Sequence, residues 1–169
     1  GCGAARNRGW QAASADLIAF LDADDEWLPH HLQTLADLRE QFPEAGLLAA
    51  GYRTIGRKGL ITETTIDGDS PRILDNYFRS ACTGNFVSTS GCAVPKNVLQ
   101  EVGGYRNSAY THPTKPGVDT DFEIRIALQY PVAYHPDITS LVHTVVQTRV
   151  FKSARWQSDL PPHVKLLID

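Results

Sequence analysis

The sequence predicts an α/β domain in which a mostly parallel sheet is flanked by helices. Short apolar runs alternate with helix-patterned segments, and the links between them are short. Residues 17–21 form an uninterrupted apolar run, which is the pattern of a strand buried on both faces, as in parallel sheets. With 169 residues, 42% of them hydrophobic and 21% charged, the chain is long enough for one domain with a packed core.

Local patterns place the elements in order along the chain. Pro29 suits the first position of a helix, apolar residues then recur on one face, and Pro43 ends the helix. The two histidines that open this helix, His30 and His31, are predicted to be solvated. Helices are predicted at 4–16, 29–42, 73–81, 95–102 and 120–130, and strands at 17–21, 46–52, 60–66, 86–94, 132–135 and 138–146.

The remaining elements depend on similar signals. Residues 4–16 combine good helix formers with apolar residues at near-helical spacing. Residues 60–66 alternate between apolar and polar, which indicates a hairpin or edge strand. Pro95 starts a short helix, and residues 120–130 have the strongest helical pattern. Residues 106–117, rich in Pro and Gly, are predicted to form a loop.

Composition excludes several classes of protein. The net charge of -3, without a basic stripe, argues against nucleic acid as a partner. Cys2, Cys82 and Cys92 are an odd number without CxxC spacing, which predicts a cytoplasmic protein, with the inner face of the membrane as an alternative location. No apolar run approaches the ~18 residues of a transmembrane segment. Because the chain lacks Met and opens on a helical pattern, we expect a fragment of a longer protein.

Four carboxylates follow the first apolar run, in the stretch "LIAFLDADDEWLP". Strand alternation puts Asp22 and Asp24 on one side, at the carboxyl end of a strand, where α/β sheets bind ligands. Their oxygens suit Mg²⁺ or Mn²⁺; the alternative is a solvated acidic turn in which Asp25 caps the next helix. A calcium loop does not fit Glu26 and Trp27, and a phosphatase D-x-D-x-[TV] signature does not fit Glu26.

Three stretches together resemble family-2 glycosyltransferases of the GT-A (Rossmann-like) fold. They are "AARNRGWQAASADLIAFLDADDEWLPHHL", which contains a D-x-D motif, "GNFVSTSGCAVPKNVLQEVGGYRN" and "GVDTDFEIRIALQYPVAYHP". The resemblance covers roughly residues 4 to 145 and implies transfer of a sugar, with inversion, from a nucleotide-diphosphate-sugar to an acceptor hydroxyl. It divides residues 1–169 into a nucleotide- and metal-binding part (1–45), an acceptor-side part (46–150) and a C-terminal extension (151–169), with the N-terminal part of the nucleotide-binding half missing.

On the donor side, the resemblance implies a divalent cation, Mn²⁺ or Mg²⁺, that bridges the two phosphates. Asp24 is then the direct metal ligand, and Asp22 reaches the ribose or a metal-bound water. Arg6 and Asn7 match family positions close to the nucleotide, and His143 matches a histidine that joins the metal or the diphosphate. The alternatives are a solvated helix cation for Arg6 and a structural role for His143.

The resemblance implies that Asp119 is the catalytic base that takes the proton from the acceptor hydroxyl. The usual preceding Glu of the family is Val118 here. Thr120 and Glu123 have the spacing of a capping box, which would place Asp119 just outside a helix whose positive end favours the ionised carboxylate. The alternative is an ordinary surface aspartate before a helix.

Four residues are expected on the acceptor side, where the partner is a carbohydrate, lipid-linked or protein acceptor. Gly103 and Gly104 would let the backbone approach the acceptor sugar, or would serve turn geometry alone. Asp121 has a structural alternative, an i,i+4 pair with Arg125, which we expect to be its main role. Trp27 could stack on a sugar face, but we favour a role in pinning the acidic turn to the core.

Two other functions stay open. The same fold could serve as a non-catalytic nucleotide-sugar-binding or regulatory module. A metal-dependent phosphatase or nucleotidyltransferase would release inorganic phosphate or pyrophosphate instead of a nucleoside diphosphate. Because the family's first strand has no match in this chain, we expect the isolated fragment to have little activity of its own.

Overall fold

The computed structural model describes residues 1–106 and 117–144, in which helices and strands are interspersed along the chain, as predicted for an α/β domain. The helices are α1 Cys2–Ala12, α2 His31–Gln41, α3 Tyr77–Thr83, α4 Lys96–Val102 and α5 Val118–Ala127. The strands are β1 Leu17–Ala19, β2 Glu26–Trp27, β3 Leu47–Ile55, β4 Ile61–Thr64, β5 Arg72–Ile73, β6 Cys92–Pro95 and β7 Val132–His143. Two short 3₁₀ turns span Arg57–Gly59 and Thr89–Gly91. Within this part of the chain, no helix combines the length and apolar character needed to cross a bilayer.

The seven strands form one mixed sheet with the order β1-β6-β3-β7-β2, to which β4 and β5 add beside β3 and β7. Among the described strands only β3 and β7 pair in parallel, and the other five pairings are antiparallel. The prediction of a mostly parallel sheet is therefore wrong for these residues. β1 is buried on both sides as predicted, yet it pairs antiparallel with β6, because burial of both faces does not determine strand direction.

Apolar side chains on both faces of the sheet make two cores. Along β3, Leu47 and Ala49 face the larger core, whereas Leu48 and Ala50 face the smaller one. Helices α1, α3, α4 and α5 supply buried side chains to the larger core, and α2 supplies Leu35 and Leu38 to the smaller one. The alternation of strand side chains thus places helices on both sides of the sheet.

An irregularity in the β3–β7 ladder shapes the end of the sheet near the acidic residues. The register shifts on either side of Gly51, where a Cβ would lie only 2.9 Å from the Pro136 carbonyl oxygen. Beyond this shift β7 pairs with β3 as far as His143 on one edge, and with β2 at Ser140 and Leu141 on the other. Because Gly51 has no Cβ, the β7 backbone can lie close to β3 at this point, and β7 continues from there to the side of the acidic turn.

Several boundaries differ from the predicted ones. The strand predicted at 86–94 contains the 3₁₀ turn Thr89–Gly91, and only Cys92–Pro95 is extended. The helix predicted at 73–81 starts later, at Tyr77, because Asn76 caps it by accepting a hydrogen bond from the Arg79 backbone. The predicted extension 151–169 lies outside the described residues, as does all but each end of the loop 106–117.

Candidate functional site

Arg6 joins the acidic turn to the first turn of α5. Its Nη2 donates a hydrogen bond to Asp22 Oδ1 at 2.7 Å, and its Nη1 donates to the Asp119 carboxylate. The guanidinium carbon lies 5.1 Å from the centroid of the Tyr105 ring, and only 11% of the Arg6 side chain is exposed. Arg6 is thus not a solvated helix cation, and it brings the D-x-D motif and the predicted base into one site.

The charges of the two carboxylates dominate the electrostatics of Arg6. Burial by itself lowers the pKa of the guanidinium, but Asp119 and Asp22 outweigh this effect, and the pKa lies above its ordinary value. Arg6 therefore stays charged and offsets the repulsion between two carboxylates that come from distant parts of the chain.

Asp119 lies inside the helix and not before it. Helix α5 begins at Val118 with Gly117 as its N-cap, so that Thr120 is a helical residue and the predicted capping box is wrong. Burial raises the pKa of Asp119 above its ordinary value, although Arg6 and a hydrogen bond from the Thr89 hydroxyl oppose the shift. The side chain remains 43% exposed. A carboxylate with a raised pKa is a stronger base, and this one is accessible.

Glu123, one turn further along α5, is a buried acid that the sequence analysis assigned to the wrong role. It does not reach back to the helix start; its Oε2 accepts a hydrogen bond from the Tyr77 hydroxyl at 3.1 Å. Burial raises the pKa of Glu123 well above its ordinary value, and the charge of Asp119 acts in the same direction. The i,i+4 spacing, which puts Glu123 on the same helix face as Asp119, was the available signal.

The Ser90 hydroxyl holds the acidic turn through two hydrogen bonds. The Asp22 backbone N–H donates to Ser90 Oγ at 3.1 Å, and the Ser90 hydroxyl donates to Asp25 Oδ2 at 2.6 Å. The other Asp25 oxygen accepts from the His143 backbone N–H at 3.0 Å, and burial raises the pKa of Asp25. Asp25 therefore holds the turn together and does not cap α2, whose N-cap is His30. Asp24, between them, is half-buried.

His143 and Trp27 both lie against this turn. The His143 Nε2 is 2.8 Å from Glu26 Oε1, so the predicted donor-side histidine does reach the acidic residues. The Trp27 indole N–H donates to the Ser90 carbonyl at 2.7 Å, and its ring stacks on His31 at 4.7 Å. These contacts pin Trp27 beside the turn, as favoured from the sequence.

His31 is not solvated as predicted. Its side chain is fully buried, and Nδ1 lies 2.8 Å from the Thr139 hydroxyl oxygen. Burial lowers the pKa of His31 to about 4, so the imidazole is neutral at pH 7. His30 is exposed, in agreement with the prediction. The prediction of a solvated His31 depended on its position at the start of the helix. That position does not reveal that Thr139 of β7 packs against this end of α2.

Asn7 clamps the Gly-Gly-Tyr turn to α1. Its Nδ2 donates to the Tyr105 carbonyl at 2.7 Å, and its Oδ1 accepts from the Tyr105 backbone N–H at 2.8 Å. Gly103 and Gly104 both have positive φ, and a Cβ at Gly104 would lie 2.5 Å from Asn7 Oδ1 and 2.9 Å from Trp10 Nε1. The glycine pair therefore serves turn geometry and close packing against α1.

Asp121 and Arg125 form the predicted i,i+4 pair. The Arg125 Nε donates to Asp121 Oδ2 at 2.9 Å, which confirms this expectation. Two further hydrogen bonds from Arg125 reach the Val102 and Gly104 carbonyls at 2.6 and 2.7 Å. Asp121 thus orients the arginine that ties α5 to the end of α4.

The donor set of the acidic turn fits a cation that phosphate oxygens help to hold. Within residues 1–106 and 117–144, no group of three or more His, Cys, Asp or Glu side chains could hold a metal by itself. Mg²⁺, however, is often held by one or two carboxylates together with substrate phosphates. Asp22 and Asp24 supply oxygen donors of this type, on a turn that the surrounding hydrogen bonds keep in place.

Comparison with solved structures defines the class of the fold. The crystal structure of S. aureus TarS 1-349 in complex with UDP-GlcNAc matches with a TM-score of 0.65 and 13% identity, over 88% of this chain and 40% of that one. A second structure, the crystal structure of S. aureus TarS 1-349, matches with a TM-score of 0.62 and 15% identity, over 85% of this chain and 40% of that one. The fold is that of a GT-A-type α/β domain, as the sequence resemblance implied.

The chain belongs to glycosyl transferase family 2. The profile of this family, "Glycosyl transferase family 2", matches residues 1–103. An uncharacterized glycosyltransferase of Nostoc sp. (strain PCC 7120), alr2836, is 33% identical over 106 residues, which are 60% of this chain and 32% of that protein. The chain therefore spans about a third of the length of the curated relative that it matches.

Proposed function

We propose that the protein containing this chain transfers a sugar from a nucleotide-diphosphate-sugar to an acceptor hydroxyl, with inversion and with Asp119 as the general base. Family membership supports sugar transfer, and the UDP-GlcNAc complex of TarS, a protein of similar fold, supports a nucleotide-sugar as donor. The main support for Asp119 as the base beside the donor site is the Arg6 side chain, which bonds both Asp22 of the D-x-D motif and Asp119.

Asp119 takes the proton of the acceptor hydroxyl while that oxygen attacks the anomeric carbon and the bond to the departing diphosphate breaks. Its partial exposure lets an acceptor approach, and its raised pKa strengthens it as a base. Arg6 orients the carboxylate and neutralises part of its charge before the donor arrives. The positive charge of Arg6 is also proposed to stabilise the negative charge that collects on the departing diphosphate.

Asp24 is proposed as the ligand of Mn²⁺ or Mg²⁺ and Asp22 as its companion, with His143 close enough to the turn to join them or the diphosphate. A cation bound there supplies neutralisation of the diphosphate charge. The Asn7 Nδ2 group has two N–H donors, and one of them is bonded to the Tyr105 carbonyl while Oδ1 accepts from the Tyr105 backbone. Asn7 is proposed to contact the nucleotide through the second N–H. Gly103, Gly104, Asp121 and Trp27 are proposed to shape the acceptor side, although their described contacts are structural.

The acceptor is proposed to be a carbohydrate, a lipid-linked molecule or a protein.

Cys2, Cys82 and Cys92 are free thiols, which supports the cytoplasmic location inferred from the cysteine count.

Asp119→Asn in the full-length protein tests the proposal. We expect kcat for release of the nucleoside diphosphate to fall by about 10²–10⁴-fold, because the amide cannot accept the proton, while Mn²⁺-dependent binding of UDP persists. Asp137→Asn, which alters an exposed carboxylate elsewhere on β7, is the matched control and should change neither quantity.

Three other results would contradict the proposal. If Asp119→Asn left turnover unchanged, Asp119 would not be the base, although the protein would still be an enzyme. If the wild-type protein bound the donor without any turnover, a non-catalytic binding module would be the better description. Release of inorganic phosphate or pyrophosphate in place of a nucleoside diphosphate would indicate hydrolysis or nucleotidyl transfer.

A further inference from the structure

Ser90 is a fully buried serine that meets the acidic turn at three points. Its hydroxyl donates to Asp25 Oδ2 at 2.6 Å and accepts from the Asp22 backbone N–H at 3.1 Å. Its carbonyl accepts the indole N–H of Trp27 at 2.7 Å. One residue thus contacts the turn at the start of its carboxylate cluster, within the cluster and just after it.

The turn needs such a fastening because its carboxylates repel one another. Four carboxylates occur within residues 22–26, and like charges so close favour a spread of conformations over a single one. A hydrogen bond from the Ser90 hydroxyl to a carboxylate is charge-assisted, and its burial keeps water from competing. Ser90 can therefore hold the turn in one geometry before any ligand arrives.

The residue next to Ser90 reaches the other half of the site. Thr89 hydrogen-bonds the Asp119 carboxylate through its hydroxyl. Because consecutive Cα atoms are only about 3.8 Å apart, the 3₁₀ turn Thr89–Gly91 sets the spacing between the acidic turn and Asp119. The sequence predicted a regular strand at 86–94 and indicated no role for these residues in the site.

We propose that Ser90 is a positioning residue that preorganises the D-x-D turn for a divalent cation and the diphosphate of the donor. This inference rests on the proposed function, since it concerns the same site. Ser90 acts through Asp22 and Asp25, because its own side chain is fully buried and both hydrogen bonds of its hydroxyl go to these two residues. Preorganisation of this kind lowers the cost of ordering the site when the ligand binds.

The test measures UDP affinity by calorimetry in the full-length protein, with Mn²⁺ and with EDTA. We expect Ser90→Ala to weaken Mn²⁺-dependent UDP binding about tenfold, because the variant loses a charge-assisted hydrogen bond, while affinity in EDTA changes little. Ser140→Ala is the matched control. Ser140 is also fully buried, and its hydroxyl has no hydrogen-bond partner among the described residues, so its removal should leave both affinities unchanged.

Hydrogen exchange of the ligand-free protein gives an independent measurement. Ser90→Ala should speed amide exchange in peptides that cover residues 20–28, because the Asp22 N–H loses its acceptor, and should leave β3 (47–55) protected. Faster exchange in β3 as well would mean that Ser90 supports the whole fold, and would overturn the positioning role.

Different results would overturn the role of Ser90 and the proposed function. Wild-type protein that binds UDP, together with a Ser90→Ala variant that keeps its Mn²⁺-dependent affinity, would overturn the inference about Ser90 and leave the proposed function standing. Wild-type protein that shows no Mn²⁺-dependent binding of UDP, GDP, ADP, CDP or dTDP would overturn the proposed donor site itself, and the role of Ser90 with it. If one of the other four binds in place of UDP, that nucleotide is the ligand for the Ser90→Ala comparison.

Discussion

Alanine substitution of the two adjacent glycines after α4 should have unequal effects on stability. Both residues have positive φ, +77° at Gly103 and +64° at Gly104, so each substitution costs about 1 kcal/mol of backbone strain. A Cβ at Gly103 meets nothing within 4 Å, whereas one at Gly104 would lie 2.5 Å from Asn7 Oδ1. Gly103→Ala should therefore show the backbone cost alone.

Gly104→Ala should also displace the Asn7 amide. Asn7 makes two hydrogen bonds to the Tyr105 backbone and accepts one from the Trp10 indole, and each is worth about 1 kcal/mol. Losing two of them brings the cost of Gly104→Ala to about 3 kcal/mol, roughly 2 kcal/mol more than that of Gly103→Ala. For a chain of this size the difference corresponds to about 4–8 °C in Tm.

Urea denaturation and thermal melts of the two variants and the wild type, followed by circular dichroism, provide the measurement. Equal free energies of unfolding for the two variants would refute the inference that the Asn7 clamp restricts Gly104. A Gly104→Ala variant of normal stability that raised only the KM for the acceptor would favour the acceptor-side role predicted from the sequence instead.

Three further predictions concern groups with shifted pKa values or buried partners. Arg6→Gln removes the charge that lowers the pKa of Asp119, so the acid limb of the pH–kcat/KM profile should move to higher pH. The pKa of His31 is about 4 in the folded protein against an ordinary 6.5. The unfolding free energy should therefore fall as pH drops from about 6.5 towards 4, by up to about 1.4 kcal/mol per pH unit. In urea titrations at several pH values, His31→Phe should make this fall smaller. Tyr77→Phe removes the donor to buried Glu123 and should cost about 1–3 kcal/mol by denaturation.

Each of these predictions has a contrary outcome. Arg6→Lys keeps the charge without the planar fork and should shift the pH profile less than Arg6→Gln; equal shifts would show that charge is not the cause. A pH dependence of stability that persists in His31→Phe would assign it to other groups. A Tyr77→Phe variant as stable as the wild type would show that the hydrogen bond to Glu123 contributes no net stability.

Local patterns predicted much of the fold. The apolar runs located β1, β3 and β7 to within a few residues, and helical periodicity located α2 and α5. The pairing of Asp121 with Arg125 was also predictable, because four residues separate the two on one helix. These features depend only on neighbours along the chain.

Strand direction and helix boundaries were predicted less well. The apolar run of β1 correctly indicated burial on both faces but wrongly suggested parallel neighbours, since an antiparallel strand can be buried equally well. Thr120 and Glu123 have the spacing of a capping box, yet the helix starts at Val118, and the Glu123 carboxyl binds Tyr77 in the core and does not reach back to the helix start. In both cases a tertiary contact decided between structures that the local pattern allows equally.

The sequence by itself determined the α/β class, the acidic turn after β1 and the resemblance to a family of glycosyltransferases. Only the tertiary structure decided that Arg6 bridges Asp22 and Asp119, the second of these across 113 positions of sequence, and that Ser90 fastens the turn across 65 positions. The physical reason is range. Helical and strand periodicity record what lies within a few residues, whereas hydrogen bonds between distant segments depend on how the sheet brings those segments together.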